Sequence, residues 1–278
     1  MVGSATHLWF SHLVRPSVVH AAYQEADKCF PRQCNTTTKQ QWSVPLVTLF
    51  PSFNPLDAVN KTPLDVCEEL SCSSSINKSA VPPNLLIVAQ ALLSASISFL
   101  KSKFPSSTGT TSETLKKILL SVMEKSVFRV WRYEPGAGCR AHYDPGWCTA
   151  LLRGSQPGLE INEELVLDPT AQSNMSVTGG GTYGDYSIFE KCDAEEHRGW
   201  MPVFHVAENP FVEENTNSCC DVLVFNDTML QVVSNGVHRH LLHRVSATNM
   251  ESHRVNIVLE LRPANSREWY SMHQEKQE

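Results

Sequence analysis

His142 and Asp144 stand two residues apart in the run His142-Tyr-Asp-Pro-Gly-Trp-Cys-Thr-Ala-Leu-Leu152, whose setting is strand-like. In a strand, residues i and i+2 face the same side, so an imidazole and a carboxylate project together. One further histidine brought in by the fold would complete a two-His, one-carboxylate face on a cation. That set leaves positions open on one side of the metal, as non-haem Fe(II) oxygenation requires. Alone, His-x-Asp is common by chance and reads as a surface histidine beside an aspartate. The third ligand is sought among His238, His240, His243 and His253. Spacing does not choose among them, and His238 and His240 could form a same-face pair of their own. Nor does the ligand count choose iron over zinc.

Eleven residues after His243 comes Arg254, followed by Val255 and Asn256. By strand parity Arg254 and Asn256 share a face. A guanidinium inside a β-barrel is costly unless an anion pairs with it. Its fork matches a carboxylate, and Asn can donate a further hydrogen bond. A dicarboxylate cosubstrate would supply that anion. Standing alone, Arg254 would read as a residue on a solvated strand face.

The elements that must position these groups change character along the chain. Up to about residue 126 the sequence predicts helices and polar linkers: a short helix over 17–29, an irregular stretch over 31–80, a long helix over 84–104 and another opening at Ser112 and Glu113. From Val127 the period becomes strand-like, with short runs over 128–133, 148–153, 201–206, 221–225 and 254–261, separated by Gly, Pro and Asn clusters. Many short strands at this spacing predict a sandwich or jelly roll. The expected division is a divergent helical and irregular region over 1–125 and a jelly-roll domain over 126–270. Residues 162–198, with Gly179-Gly-Gly181, form an inserted loop, read as disordered or as a substrate lid.

Composition bounds the partners. The 278 residues suffice for one large domain, and 41% hydrophobic with 19% charged residues is the balance of a core-forming globular chain. A net charge of −6 without a Lys/Arg cluster argues against nucleic acid or an anionic membrane. No stretch reads as a membrane span; 85–100, the most apolar, carries Gln90, Ser94, Ser96 and Ser98, so a buried helix fits it better. Nine cysteines, an odd number without a CxxC pair, read as reduced thiols of an intracellular, cytoplasmic protein. No charged segment followed by an apolar core opens the chain, so no secretory signal is expected. Arg15, with no acid before Glu25, is a weak basis for a mitochondrial transit peptide.

Taken together, the motifs resemble the isopenicillin N synthase-like, plant-type 2-oxoglutarate/Fe(II) dioxygenases. The run 142–152 followed by Gln156-Pro-Gly-Leu159 resembles the family's first metal motif. Leu230-Gln-Val-Val-Ser-Asn-Gly236 and Leu242-His-Arg-Val245 resemble the second, which selects His243 as third ligand. Arg254-Val-Asn256 is similar to the family's Arg-x-Ser cosubstrate motif, Tyr133 falls where a tyrosine touches 2-oxoglutarate, and 200–203 resembles the strand after Pro-Gly-Leu. The likeness covers roughly residues 126–262. It implies a mainly β fold, a double-stranded β-helix (jelly-roll) core with flanking helices. It also implies iron on His142, Asp144 and His243, and 2-oxoglutarate held by Arg254, Asn256 and Tyr133. Further implications are O2 as oxidant, ascorbate as an auxiliary reductant, and oxidation of a small molecule with decarboxylation to succinate.

Departures from the family pattern carry content. The usual Ser is Asn256, an Asn common before the first motif is Trp131, the loop from Tyr133 to His142 is short, and the usual N-terminal strand and opening motif are not visible in 1–80, as in a truncated or divergent chain. Relatives with apolar substrates often carry Phe where Glu260 stands. A regular strand aims Glu260 inward, toward a basic or hydrogen-bond-donating substrate; at the barrel mouth it would be solvated instead. Tyr143 and Trp147 are further substrate candidates, with core packing as their alternative. The competing functions are an Fe(II) oxidase without 2-oxoglutarate, a degenerate jelly-roll binding protein and, distantly, a zinc hydrolase.

Overall fold

The computed structural model describes residues 5–30, 39–72, 81–105, 112–163, 199–203, 220–247, 252–265 and 269. The expected insertion over 162–198 lies almost wholly outside them, as do residues 204–206 of the expected run 201–206. Two antiparallel sheets carry the fold. The larger one joins β1 (His7–Val14), β8 (Cys220–Asn226), β5 (Cys148–Leu152), β10 (Arg254–Leu261), β3 (Val127–Tyr133) and β2 (Lys39–Pro45), in that order. The smaller one joins β4 (Cys139–His142), β9 (Leu242–Val245), β6 (Leu159–Asn162) and β7 (Met201–Pro202). Side chains from both sheets line one cavity between them.

β10 explains how the layers are made. All eight of its residues are buried. Val255, Ile257, Leu259 and Leu261 enter the main apolar core, while Asn256, Val258 and Glu260 line the cavity. Period-2 alternation thus divides one strand between a greasy outer layer and a polar interior.

The outer layer is a helix. α5 (Pro83–Lys103) lies across β5, β8, β10 and β1 and also meets α1 (Pro16–Lys28) and α4 (Pro63–Cys72). Covered on several sides, it is apolar nearly all round. Its length and composition would let it cross a bilayer, but its most apolar stretch is 78% buried in the protein. Glu25 of α1 caps it: the Asn84 and Leu85 amides donate to Oε2 at 2.9 and 3.1 Å. A carboxylate there satisfies orphan N–H groups and meets the positive end of the helix dipole. Ser94 and Ser96, polar yet buried, donate to the Pro63 and Leu92 carbonyls. α6 (Glu113–Lys125) starts where its cap predicts, with Ser112 Oγ accepting from the Leu115 amide at 3.1 Å. The short α7 (Thr228–Val233) follows β8.

The stretch read as irregular over 31–80 is corrected. It holds β2, the short helices α2 (Leu46–Leu49) and α3 (Pro55–Ala58), and α4. The N-terminus adds β1, so both edges of the larger sheet come from ahead of residue 126. Only Trp42, Val44 and the terminal Pro45 break the polarity of β2, and among the described residues it pairs on one side alone, with β3. An edge strand needs little apolar alternation, and its sequence signal is correspondingly faint.

Candidate metal centre

His142 ends β4 and His243 lies in β9, and the two are direct partners in the antiparallel register. Facing residues share a side of the sheet, so both imidazoles enter the cavity. Their rings stand 4.3 Å apart between centroids. Asp144, just past β4, completes the set: Oδ1 is 3.6 Å from His142 Nε2 and Oδ2 is 3.7 Å from His243 Nε2. All three ligand atoms lie within 4.8 Å of one another. Atoms on adjacent positions about 2.1 Å from one cation are roughly 3 Å apart, so closing these gaps by about 1–2 Å brings the set to bonding geometry. The side chains are 14%, 15% and 8% exposed, walled in but open on the cavity side.

The imidazole orientation is set from behind. His142 Nδ1 lies 2.7 Å from the Arg140 carbonyl, and His243 Nδ1 lies 3.2 Å from that of Leu241. A carbonyl only accepts, so Nδ1 carries the proton and Nε2 presents its lone pair to the cation. The alternatives for third ligand go elsewhere. His238 Nε2 meets the Lys103 carbonyl at 2.8 Å, His240 stacks on Tyr143 at 3.6 Å, and His253 pairs with Asp27 at 3.2 Å.

Thr149 and Asp227 buttress the carboxylate. Thr149 Oγ1 is 2.7 Å from Asp144 Oδ2 and 3.0 Å from Asp227 Oδ2. One hydroxyl hydrogen cannot serve both acceptors. Burial, reinforced by the Asp144 charge, pushes the Asp227 carboxyl well above its ordinary range. This shift favours the protonated form of Asp227, in which it can donate to Thr149 while Thr149 donates to Asp144. Thr149→Val keeps the volume and breaks this chain, so a Co(II) titration should show 10–100-fold weaker binding, the usual cost of losing an outer-shell partner.

Charges at the centre are mutually dependent. Burial alone would depress His142, but the Cys139 thiol and the Asp144 carboxylate raise it to about 9. Burial and the His142 charge take His243 down to about 4. Burial would raise Asp144, yet the two histidines hold it below the usual carboxylate range. Without a cation, then, His142 carries the proton across neutral pH, and a metal must displace it. Affinity for a divalent cation should rise about tenfold per pH unit from pH 6 to 8, with about one proton released per ion. Co(II) titrations in weakly coordinating buffers check the slope.

Arg254 is fully buried, and burial lowers it to about 10, which leaves it cationic. Nε donates to Asn256 Oδ1 at 2.8 Å and Nη1 donates to the Gln156 carbonyl. Nη2 has no hydrogen-bond partner among the described residues. A Cβ on Gly154 would overlap the guanidinium, so that glycine makes the cradle. Tyr133 is buried beside it, its phenol held well above the ordinary range by desolvation and so neutral. Tyr133 and Asn256 are on the cavity wall, whereas Arg254 is not. A buried guanidinium with a spare donor, no carboxylate partner among the described residues and a polar neighbour on the wall suits the far end of a dicarboxylate.

Two sequence-derived substrate candidates, Trp147 and Tyr143, are corrected. Trp147 is fully buried in the main core, edge-on to Trp269 at 4.8 Å. Tyr143 is buried against His240, with Ala141 and Leu242 in its cluster. Neither lines the cavity. Glu260 does, and it points inward as parity predicts, but its carboxylate is engaged by Arg129 at 3.3 Å and by Arg262. It is therefore shared between two guanidinium groups rather than solvated. Sequence reasoning missed Lys39, Arg129, Trp131, Thr149 and Arg262 as cavity residues. Counting by twos back from Tyr133 would have found Trp131 and Arg129.

No protein-family model matches the chain, and no curated protein matches it. Solved structures do. A 2OG-Fe(II) oxygenase family protein from Caulobacter crescentus superposes with a TM-score of 0.50 at 15% identity, over 93% of this chain and 78% of that one. JOX2, crystallised with 2OG, Fe and JA, also gives 0.50, at 14% identity over 94% and 68%. The chain has the double-stranded β-helix fold of the 2OG-Fe(II) oxygenases.

Proposed function

We propose that the protein is a 2-oxoglutarate-dependent Fe(II) oxygenase acting on a small organic molecule. The observation that carries this reading is the convergence of His142, Asp144 and His243 on one cavity wall, in the fold where such sets hold iron. Three neighbouring ligands leave the opposite side of a cation free for cosubstrate and oxygen. JOX2 binds 2OG and Fe in the same fold, which supports the same cofactors here.

The residues would divide the work as follows. His142 and His243, locked by their Nδ1 hydrogen bonds, and Asp144, locked through Thr149, would fix the cation. Arg254 Nη2 and Asn256 would take the distal carboxylate of 2-oxoglutarate, with the neutral Tyr133 phenol beside them. Phe225, packed on His243 at 4.8 Å, with Leu151 and Val258, would exclude water around the centre. Bound iron and 2-oxoglutarate together would supply the oxidising power, with succinate and carbon dioxide as coproducts.

A second reading, an Fe(II) oxidase without 2-oxoglutarate, draws on one observation: two Arg254 donors are already satisfied inside the protein. Succinate formation decides between the two. The leading reading expects succinate from 2-oxoglutarate, stimulated by a substrate and abolished by metal chelation. Oxygen uptake without succinate would favour the second.

A further inference from the structure

We propose that Lys39 is a recognition point for the carboxylate of the organic substrate, so that the enzyme acts on an acid with an apolar body. This rests on the oxygenase reading for the position of the reacting centre. Lys39 opens β2 opposite Tyr133, and Tyr133 stands opposite Arg254 on β10. Residues paired in register share a face, so Lys39, Tyr133 and Arg254 form one row across the larger sheet. The row holds two cations with different situations. Arg254 is fully buried, off the cavity wall and bonded to Gln156 and Asn256. Lys39 is on the wall that also carries the metal ligands, on an edge strand, and only half-buried.

The ammonium is placed but poorly satisfied. Nζ sits 3.9 Å from the Trp131 ring centroid and 5.2 Å from that of Tyr133, and it donates to Cys139 Sγ at 3.5 Å. Two ring faces and a thiol are weak partners for a group with three donors. No carboxylate pairs with it among the described residues. Glu260, an acid on the same wall, is held by Arg129 and Arg262, and Asp144 belongs to the metal set. An incoming carboxylate would gain a charge-assisted hydrogen bond from Lys39, whereas an incoming ammonium would meet a like charge. Trp131, Leu151, Phe225 and Val258 supply the apolar surface for the rest of such a molecule.

The test is anaerobic calorimetry on the full chain loaded with Fe(II) and 2-oxoglutarate. The probes are aryl- and cycloalkyl-acetic acids, each paired with its primary amide. Wild type is expected to bind the best acid at least tenfold more tightly than its amide. Lys39→Met, which keeps the stem over Trp131, should abolish that preference, and Lys39→Arg should retain most of it. The visible band of the iron–2-oxoglutarate complex should titrate within threefold of wild type in both variants. Absence of acid preference, its survival in Lys39→Met, or failure of every probe to bind would overturn the assignment. So would a tenfold loss of 2-oxoglutarate affinity in Lys39→Met, which would give Lys39 to the cosubstrate. Absence of the band in wild type would instead strike at the oxygenase reading itself.

Discussion

Asp144→Ala is expected to weaken Fe(II) binding by on the order of a thousandfold, beyond the 10–100-fold typical of outer-shell losses, and to reduce succinate formation to background. It removes the only anionic ligand of the set and the charge that faces both Nε2 atoms. It also removes the acceptor that orders Thr149. The fold should survive, because the carboxylate sits on the cavity wall, 15% exposed, and shares its neighbourhood with a second acid, Asp227. Metal titration and a melting curve on the same preparation separate lost ligation from lost structure. Metal affinity within tenfold of wild type would mean that the cation, if bound, sits elsewhere.

Arg254→Met is expected to raise the dissociation constant for 2-oxoglutarate about a hundredfold, the equivalent of about 3 kcal/mol for losing a buried, hydrogen-bonded charge partner. Metal binding should be nearly unchanged, because Arg254 is not among the ligands. The substitution also strands the Gln156 carbonyl and Asn256 Oδ1, so thermal stability should fall. Arg254→Lys separates the two effects. It keeps the charge and loses the fork, so stability should recover further than affinity. Unchanged 2-oxoglutarate affinity in Arg254→Met would move the anion site, with Lys39, in the same cross-strand row, as the next cation to substitute.

What could be read from the sequence follows the reach of parity. His142 and Asp144 are near neighbours on one short segment, and Arg254, Asn256, Val258 and Glu260 lie on one regular strand, so counting by twos located them. The same count places Tyr143 on the opposite side from His142 and Asp144, where the structure has it; proximity to the motif misled. Trp147 lies in the irregular turn between β4 and β5, where no count applies. The third ligand required long-range pairing of β4 with β9, which spacing does not encode; the family resemblance supplied it.

Lys39 was illegible for a different reason. β2 is largely polar and lies at a sheet edge, so nothing local marks it as a strand. The role of Glu260 was half legible. Its direction followed from β10, but its partners Arg129 and Arg262 change its chemistry, turning an open carboxylate into the centre of an ion cluster. Charge on a strand can be placed by parity, but its availability depends on what the neighbouring strand and loop bring.

Anaerobic titration of Fe(II) into the wild-type protein with 2-oxoglutarate tests the central claim most directly. A chelated keto acid on Fe(II) gives a visible metal-to-ligand charge-transfer band. The proposed function expects that band, saturating at one iron per chain and absent in His243→Ala. No band in the wild type, or an equal band in His243→Ala, would contradict it.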